Sequence, residues 1–166
     1  GSHVMLAWMS PPSEVKDMHQ QKARELVKGK NENSNLLVSF FDVLPGDDLR
    51  EKRHKIWSKM YEIEPDGRFI HYYYAITKPT LEDRISELEV LLEKQKNDSN
   101  FLGVGHILNR LGYFNYDLGN KAKAKNYFDQ YIKVYPDGYN PYDSMGDYYS
   151  NEKEYENALS YYQKSL

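Results

Sequence analysis

Residues 108–128 read LNRLGYFNYDLGNKAKAKNYF, and residues 142–162 read YDSMGDYYSNEKEYENALSYY. Laid over one another at a spacing of 34, the two stretches match in residue type at the positions that matter for packing. Leu111-Gly112 falls on Met145-Gly146, Ala124 on Ala158, Tyr127 on Tyr161 and Phe128 on Tyr162. Leu108 shares a slot with Tyr142, and Tyr116 with Ser150. Few folds produce such a register by accident.

The residue types have a common physical reading. Two antiparallel helices of about a dozen residues, joined by a tight turn, cross where their backbones nearly touch. Gly112 with Ala124, and Gly146 with Ala158, supply the missing bulk at that crossing. Phe128 and Tyr162, four residues beyond each alanine, fill the groove one helical turn onward. Gly119-Asn120 breaks the first pair, because glycine accepts the positive φ that ends a helix. Pro136 stops the second helix, since it cannot continue one and restricts the residue before it.

A large residue, then Leu-Gly, then Tyr, then Ala followed by Phe, then Pro at a period of 34 resembles the tetratricopeptide repeat (TPR) family. The resemblance runs from about Gly105 to Leu166. Leu108 and Tyr142 stand where the family often has Trp, Asn115 where it often has Tyr, and Lys153 replaces a turn glycine. The fold it implies is an all-α superhelix, a TPR-like solenoid of about four helix pairs plus an N-terminal helix. The organisation expected is a tag remnant at 1–3, degenerate pairs over 4–100, and two clear repeats over 101–166, the second truncated. All of it is expected to form one continuous solenoid.

In such a stack the first helix of each pair lines the concave face. Its residues away from the Leu-Gly seam are His106, Asn109, Arg110, Tyr113, Tyr116 and Asp117, then Asn140, Asp143, Ser144, Asp147 and Asn151. By continuity His71, Tyr72 and Tyr74 join them. The resemblance implies a protein or peptide partner. Tyr113 and Ser144 stand where a groove gripping a C-terminal carboxylate has amides, which argues against that clamp. Tyrosines, amides and acids instead suit an extended peptide of basic character. Asn140 to Gly146 is also similar to C-terminal appendages on bacterial esterases and serine hydrolases. That likeness implies, as an alternative, a non-catalytic tail whose activity lies in another domain. A third reading is an oligomerisation domain, because Tyr161, Tyr162 and Leu166 make an unusually apolar solenoid end.

The first hundred residues carry a fainter version of the pattern. Pro65-Asp66-Gly67 repeats Pro136-Asp137-Gly138 at a distance of 71 residues, near two periods plus three. An insertion around Asn97-Asp98-Ser99-Asn100 accounts for the excess. Asp47-Asp48 is placed to cap a helix with Leu49, Ile56, Trp57, Met60 and Ile63 on one stripe. Thr80, with Asp83 three residues on, caps another bearing Leu81, Ile85, Leu88, Leu91 and Leu92. Phe69 to Thr77 makes a short helix ended by Lys78-Pro79. The helix pairs fall at 34–64, 68–96, 101–135 and 139–166, after a helix at 13–29 running from Ser13 to Gly29. Val4 to Met9 reads as a helix that packs on the body rather than the end of a trimmed hydrophobic leader, since neither a basic flank nor a small-residue cleavage site is visible.

Of 166 residues, 40 % are apolar and 28 % charged, as in a folded domain. A net charge of −3 gives no basic field for nucleic acid. No run approaches the ~20 apolar residues needed to span a bilayer. There is no cysteine, so disulfides and thiolate chemistry are absent, and a cytoplasmic or a periplasmic setting suits the chain equally. Sixteen tyrosines are the oddity: each has a ring to bury and a hydroxyl to satisfy. No enzyme activity, cofactor or metal is expected. His19, His54, His71 and His106 stand singly, without the i, i+3 or i+4 spacing of paired ligands. Gly103-Val104-Gly105 follows no strand and lacks the lysine of a phosphate loop. Adjacent Asp47 and Asp48 do not face each other on a helix.

Overall fold

The computed structural model describes residues 2–96 and 103–166, so the insertion expected at Asn97-Asp98-Ser99-Asn100 lies outside the described residues. Among the described residues the regular structure is helical throughout. They form two compact units, residues 1–79 and residues 80–166. The two helices expected to pair over 68–96 fall in different units.

The first unit holds α1 (Ser2–Met9), α2 (Glu14–Leu26), α3 (Glu32–Ser39), a short 3₁₀ turn (Phe40–Asp42), α4 (Leu49–Ile63) and α5 (Arg68–Thr77). Ser2 and His3, read as tag remnant, stand in the first turn of α1. That helix buries Val4 and Ala7. Ser13 opens α2 by accepting the Lys16 N–H at 3.3 Å, and Asn31 opens α3 by accepting that of Ser34 at 2.9 Å. Asp48 stands at the cap position of α4 but does not cap it. Its carboxylate instead accepts from Lys52 Nζ, one turn on, at 2.9 Å. The core joins Trp57, Met60 and Ile70, with Tyr73 stacked on Trp57 at 4.8 Å and 15°.

The second unit holds α6 (Leu81–Lys96), α7 (Val104–Asp117), α8 (Lys121–Val134), α9 (Tyr139–Asn151) and α10 (Tyr155–Lys164). Each helix packs on the next in chain order. Thr80 starts α6 by accepting the Asp83 N–H at 3.0 Å and donating its hydroxyl to the Asp83 carboxylate at 2.7 Å. Ile85, Leu88, Leu91 and Leu92 of α6 are buried, as are Ile107, Leu108 and Leu111 of α7.

The notch in each repeat is filled as its residues demand. A Cβ on Gly112 would lie 2.4 Å from Cε1 of Phe128, and one on Gly146 would lie 2.5 Å from Cδ1 of Tyr162. Ala124, Phe128, Met145 and Ala158 are all buried around these crossings. Asn115, where a tyrosine is common in the family, is fully buried and donates to the Leu111 carbonyl one turn back at 2.8 Å. The two Pro-Asp-Gly tripeptides make the same turn: Gly67 N–H bonds the Glu64 carbonyl and Gly138 N–H bonds that of Tyr135, each at 3.1 Å.

Candidate functional site

The first helices of the two repeats, α7 and α9, are joined by a ladder of side-chain hydrogen bonds. Asn109 donates to Asn140 Oδ1 at 3.3 Å, and Ser144 donates to Asn109 Oδ1 at 3.0 Å. One turn on, Tyr113 donates to one oxygen of Asp147 at 2.7 Å, while Tyr162 of α10 donates to the other at 2.8 Å. Last, Tyr116 and Lys121 both bond Glu152, at 2.8 Å for each contact. Burial pushes the phenol of Tyr113 well above its ordinary range, and the adjacent Asp147 charge pushes the same way. Tyr162 is raised for the same two reasons. Glu152 is held below the usual carboxylate range by its bonds from Lys121 and Tyr116.

Of the residues expected to face a partner, His106, Arg110, Asp117 and Asp143 are exposed, with the Arg110 guanidinium 5.6 Å over the ring of Phe114. Asn109, Tyr113, Tyr116, Asn140 and Asp147 are half-buried in the ladder. Ser144 and His71 are placed otherwise than expected, each being 1 % exposed. The Ser144 hydroxyl is turned inward to Asn109, and the His71 ring lies against Tyr61 at 4.7 Å. Tyr72 meets Tyr73 edge-on. Tyr74 is sandwiched in the first unit between Tyr61 at 4.4 Å and His54 at 5.4 Å. These rings are packing groups of their own unit.

Beside the ladder an open cleft of about 360 Å³ is lined by Gly105, His106, Asn109, Tyr131, Tyr135, Tyr139, Asn140 and Pro141. Gly105 shapes it, since a Cβ there would lie 2.7 Å from the ring of Tyr131 and 2.8 Å from that of Tyr135. Asn140 Oδ1 accepts from both Asn109 and Tyr131, the latter at 3.0 Å. This fixes which way round the amide sits, with the oxygen toward Asn109 and Tyr131. Burial raises the Tyr131 phenol, reinforced by Tyr135 and Tyr139. Sequence reasoning missed Gly105, Tyr131, Tyr135 and Tyr139 as site residues. Gly105 precedes Gly112 by seven positions, two helical turns, and Tyr135 follows Phe128 by the same interval, a spacing that marks a second notch.

His54 has partners on both ring nitrogens: Thr77 Oγ1 lies 3.2 Å from Nδ1 and Ser58 Oγ 3.3 Å from Nε2. Burial lowers its pKa, with the Lys78 charge adding to the effect. No group of three or more His, Cys, Asp or Glu among the described residues is placed to hold a metal ion. No described helix is long and apolar enough to cross a membrane.

Comparison with known proteins gives matches to the tetratricopeptide repeat over residues 110–138 and again over residues 139–166. Among curated proteins, the chain is similar to one from Pyropia yezoensis described as "Uncharacterized protein ycf37", at 24 % identity over 113 residues. That match takes in 66 % of this chain and spans 63 % of the relative's length. The 34-residue step, the glycine notches and the rings that fill them are therefore those of the tetratricopeptide repeat over residues 110–166, a repeat that in general mediates protein interaction.

Proposed function

We propose that this chain holds an extended peptide segment of a protein partner along α7 and α9, with one side chain seated in the Tyr131–Tyr135–Tyr139 cleft. The observation that carries the reading is the locked Asn140 amide. Two bonds fix its oxygen, so an amide that lines the cleft is ordered in advance and its N–H groups can serve a bound backbone without further ordering cost. Three phenol rings give a bound side chain apolar walls with hydroxyls at the margin. The charge of the two helices favours a basic segment: α9 carries Asp143 and Asp147 with no lysine or arginine, and on α7 Arg110 and Asp117 cancel. Repeats of this family are typically non-catalytic, so the face is assigned binding and no reaction.

The test is capture of partner proteins from cells of the source by the immobilised chain, beside a His106→Ala, Tyr139→Ala variant. Both residues line the cleft and both are exposed, so the fold should survive their truncation. The expected result is loss of the same captured proteins and recovery of bound material by raised salt. An unchanged set of captured proteins with the variant removes the cleft from the reading.

A further inference from the structure

The cleft beside the ladder is rich in hydrogen-bond donors and short of acceptors. Asn140 Oδ1 takes bonds from Asn109 and Tyr131, which occupy both of its lone pairs. The amide oxygen of Asn109 is held by Ser144. The Asn140 amide nitrogen and the hydroxyls of Tyr135 and Tyr139, by contrast, have no hydrogen-bond partner among the described residues. The backbone adds to this side of the balance. Helix α9 opens at the cleft with Gly138 as its cap and no side-chain cap bond, so the first-turn N–H groups of Tyr139 and Asn140 are also unspent. The apolar walls are ring surfaces: Tyr131 and Tyr135 cross at 74° with centres 6.2 Å apart, and Pro141 is buried beside them.

We infer that the segment received by this cleft is proline-rich and lies in the extended polyproline II conformation. This rests on the reading of the cleft as a peptide site and narrows it. An ordinary residue lowered onto the rings brings a backbone N–H, and the amide oxygens that would accept it are committed elsewhere. Proline brings a compact apolar ring and a carbonyl but no N–H. Its carbonyls are unbonded within the segment, because polyproline II has no internal hydrogen bonds, and they can take hydrogens from amide and phenol alike. The segment is also stiff before it binds, so little freedom is lost. A carboxylate would use the same donors but gives nothing to three phenol rings. Asp143, exposed on α9 three residues beyond Asn140, suits a lysine or arginine flanking the prolines.

Decaproline acetylated at one end and amidated at the other tests this on the whole chain, since it carries no terminal carboxylate. Calorimetric titration should give a Kd between about 10 µM and about 1 mM. The side-chain amide signals of Asn109 and Asn140 should shift in nuclear magnetic resonance spectra. Tyr139→Phe keeps the ring and removes the hydroxyl, and should weaken binding about 3- to 10-fold. Tyr155→Phe, similarly exposed but on α10, should leave it unchanged. A capped peptide of the same length in alternating alanine and serine should bind at least ~10-fold more weakly. Decaproline that fails to bind at about 1 mM overturns the inference. So does an alanine–serine peptide of equal affinity, or binding indifferent to Tyr139→Phe. If cellular proteins are captured through His106 and Tyr139 while decaproline is ignored, proline is wrong and the peptide-binding reading stands. A captured set indifferent to both residues takes the two down together.

Discussion

Lys153 takes the backbone conformation of Gly119, its equivalent one repeat earlier: φ is +64° at the lysine and +83° at the glycine. The two turns close alike. Gly119 N–H bonds Tyr116 and Asn120 N–H bonds Asn115; Lys153 N–H bonds Ser150 and Glu154 N–H bonds Tyr149. The repeat dictates the turn, and the lysine endures it. A left-handed conformation costs a residue with a Cβ about 1–2 kcal/mol relative to glycine. Lys153→Gly should therefore stabilise the chain by about 1 kcal/mol, read as a rise of about 2–4 °C in Tm. Gly119→Ala, where the added Cβ meets nothing within 4 Å, should cost about as much from strain alone. A lysine-to-glycine change that lowers Tm would refute the argument.

The notches admit a sharper test. Gly112→Ala and Gly146→Ala each push a methyl to within 2.5 Å of a ring, so Phe128 or Tyr162 must leave its seat. Overpacking typically costs 1–3 kcal/mol, of which the better helix propensity of alanine returns about 1. A net loss of up to about 2 kcal/mol per site is expected from urea denaturation. Combining Gly112→Ala with Phe128→Leu should lose less than the two single changes added together. Simple additivity would mean the glycine and the ring are independent.

Alkaline stability follows from the phenols. Burial raises Tyr113, with Asp147 beside it, and Tyr127, with Glu89 bonded to its hydroxyl at 2.7 Å. An unfolded tyrosine loses its proton near pH 10. The contribution of these two is thus complete below about pH 10 and is lost as pH rises beyond it, toward their higher folded values. Tyr113→Phe should lower stability at neutral pH by about 1 kcal/mol, through the lost bond to Asp147. Above pH 10 it should also make the decline shallower by one proton. Urea midpoints between about pH 8 and pH 11 measure both; an unchanged slope would count against a protonated Tyr113 in the folded state.

His54 acts at the other end of the scale. Its folded pKa is lowered by burial and by Lys78, so the neutral ring is the one that fits. Its contribution is present above the unfolded value of about 6.5 and fades as pH falls through that value toward the folded one. The imidazole signal of His54 in the folded chain should titrate below 6.5, and His54→Asn should blunt the acid sensitivity of the first unit. A titration midpoint above 6.5 would reverse the sign.

The second unit was legible in the sequence because its packing rests on residues with one geometric use each. Gly112 opposite Phe128, Ala124 and Ala158 at the crossings, and Pro136 after α8 announce themselves at a fixed interval. The ladder was half legible. Asn109, Tyr113 and Asp147 fall on the face that periodicity assigns them, but that their polar atoms bond to one another is a property of two helices together. Ser144 shows the difference: it was expected to face outward from its helix, yet it is buried and its hydroxyl is spent inward on Asn109. The cleft went unseen because Tyr131 and Tyr135 read as a helix end, whereas Gly105 makes them the wall of a recess. In the first unit no Leu-Gly pair anchors the phase of α5. His71 was set on an outer face by continuity alone, while its ring is drawn into the stack around Tyr61.

Asp147 sits on α9 yet is clasped by a phenol from α7 on one oxygen and a phenol from α10 on the other. Peeling α10 away would not only expose Ala158; it would also slacken the clasp that orients Tyr113. A pull applied to α10 is thereby felt at α7, through one carboxylate of the helix between them, so these three helices should respond to mechanical load as a single latch.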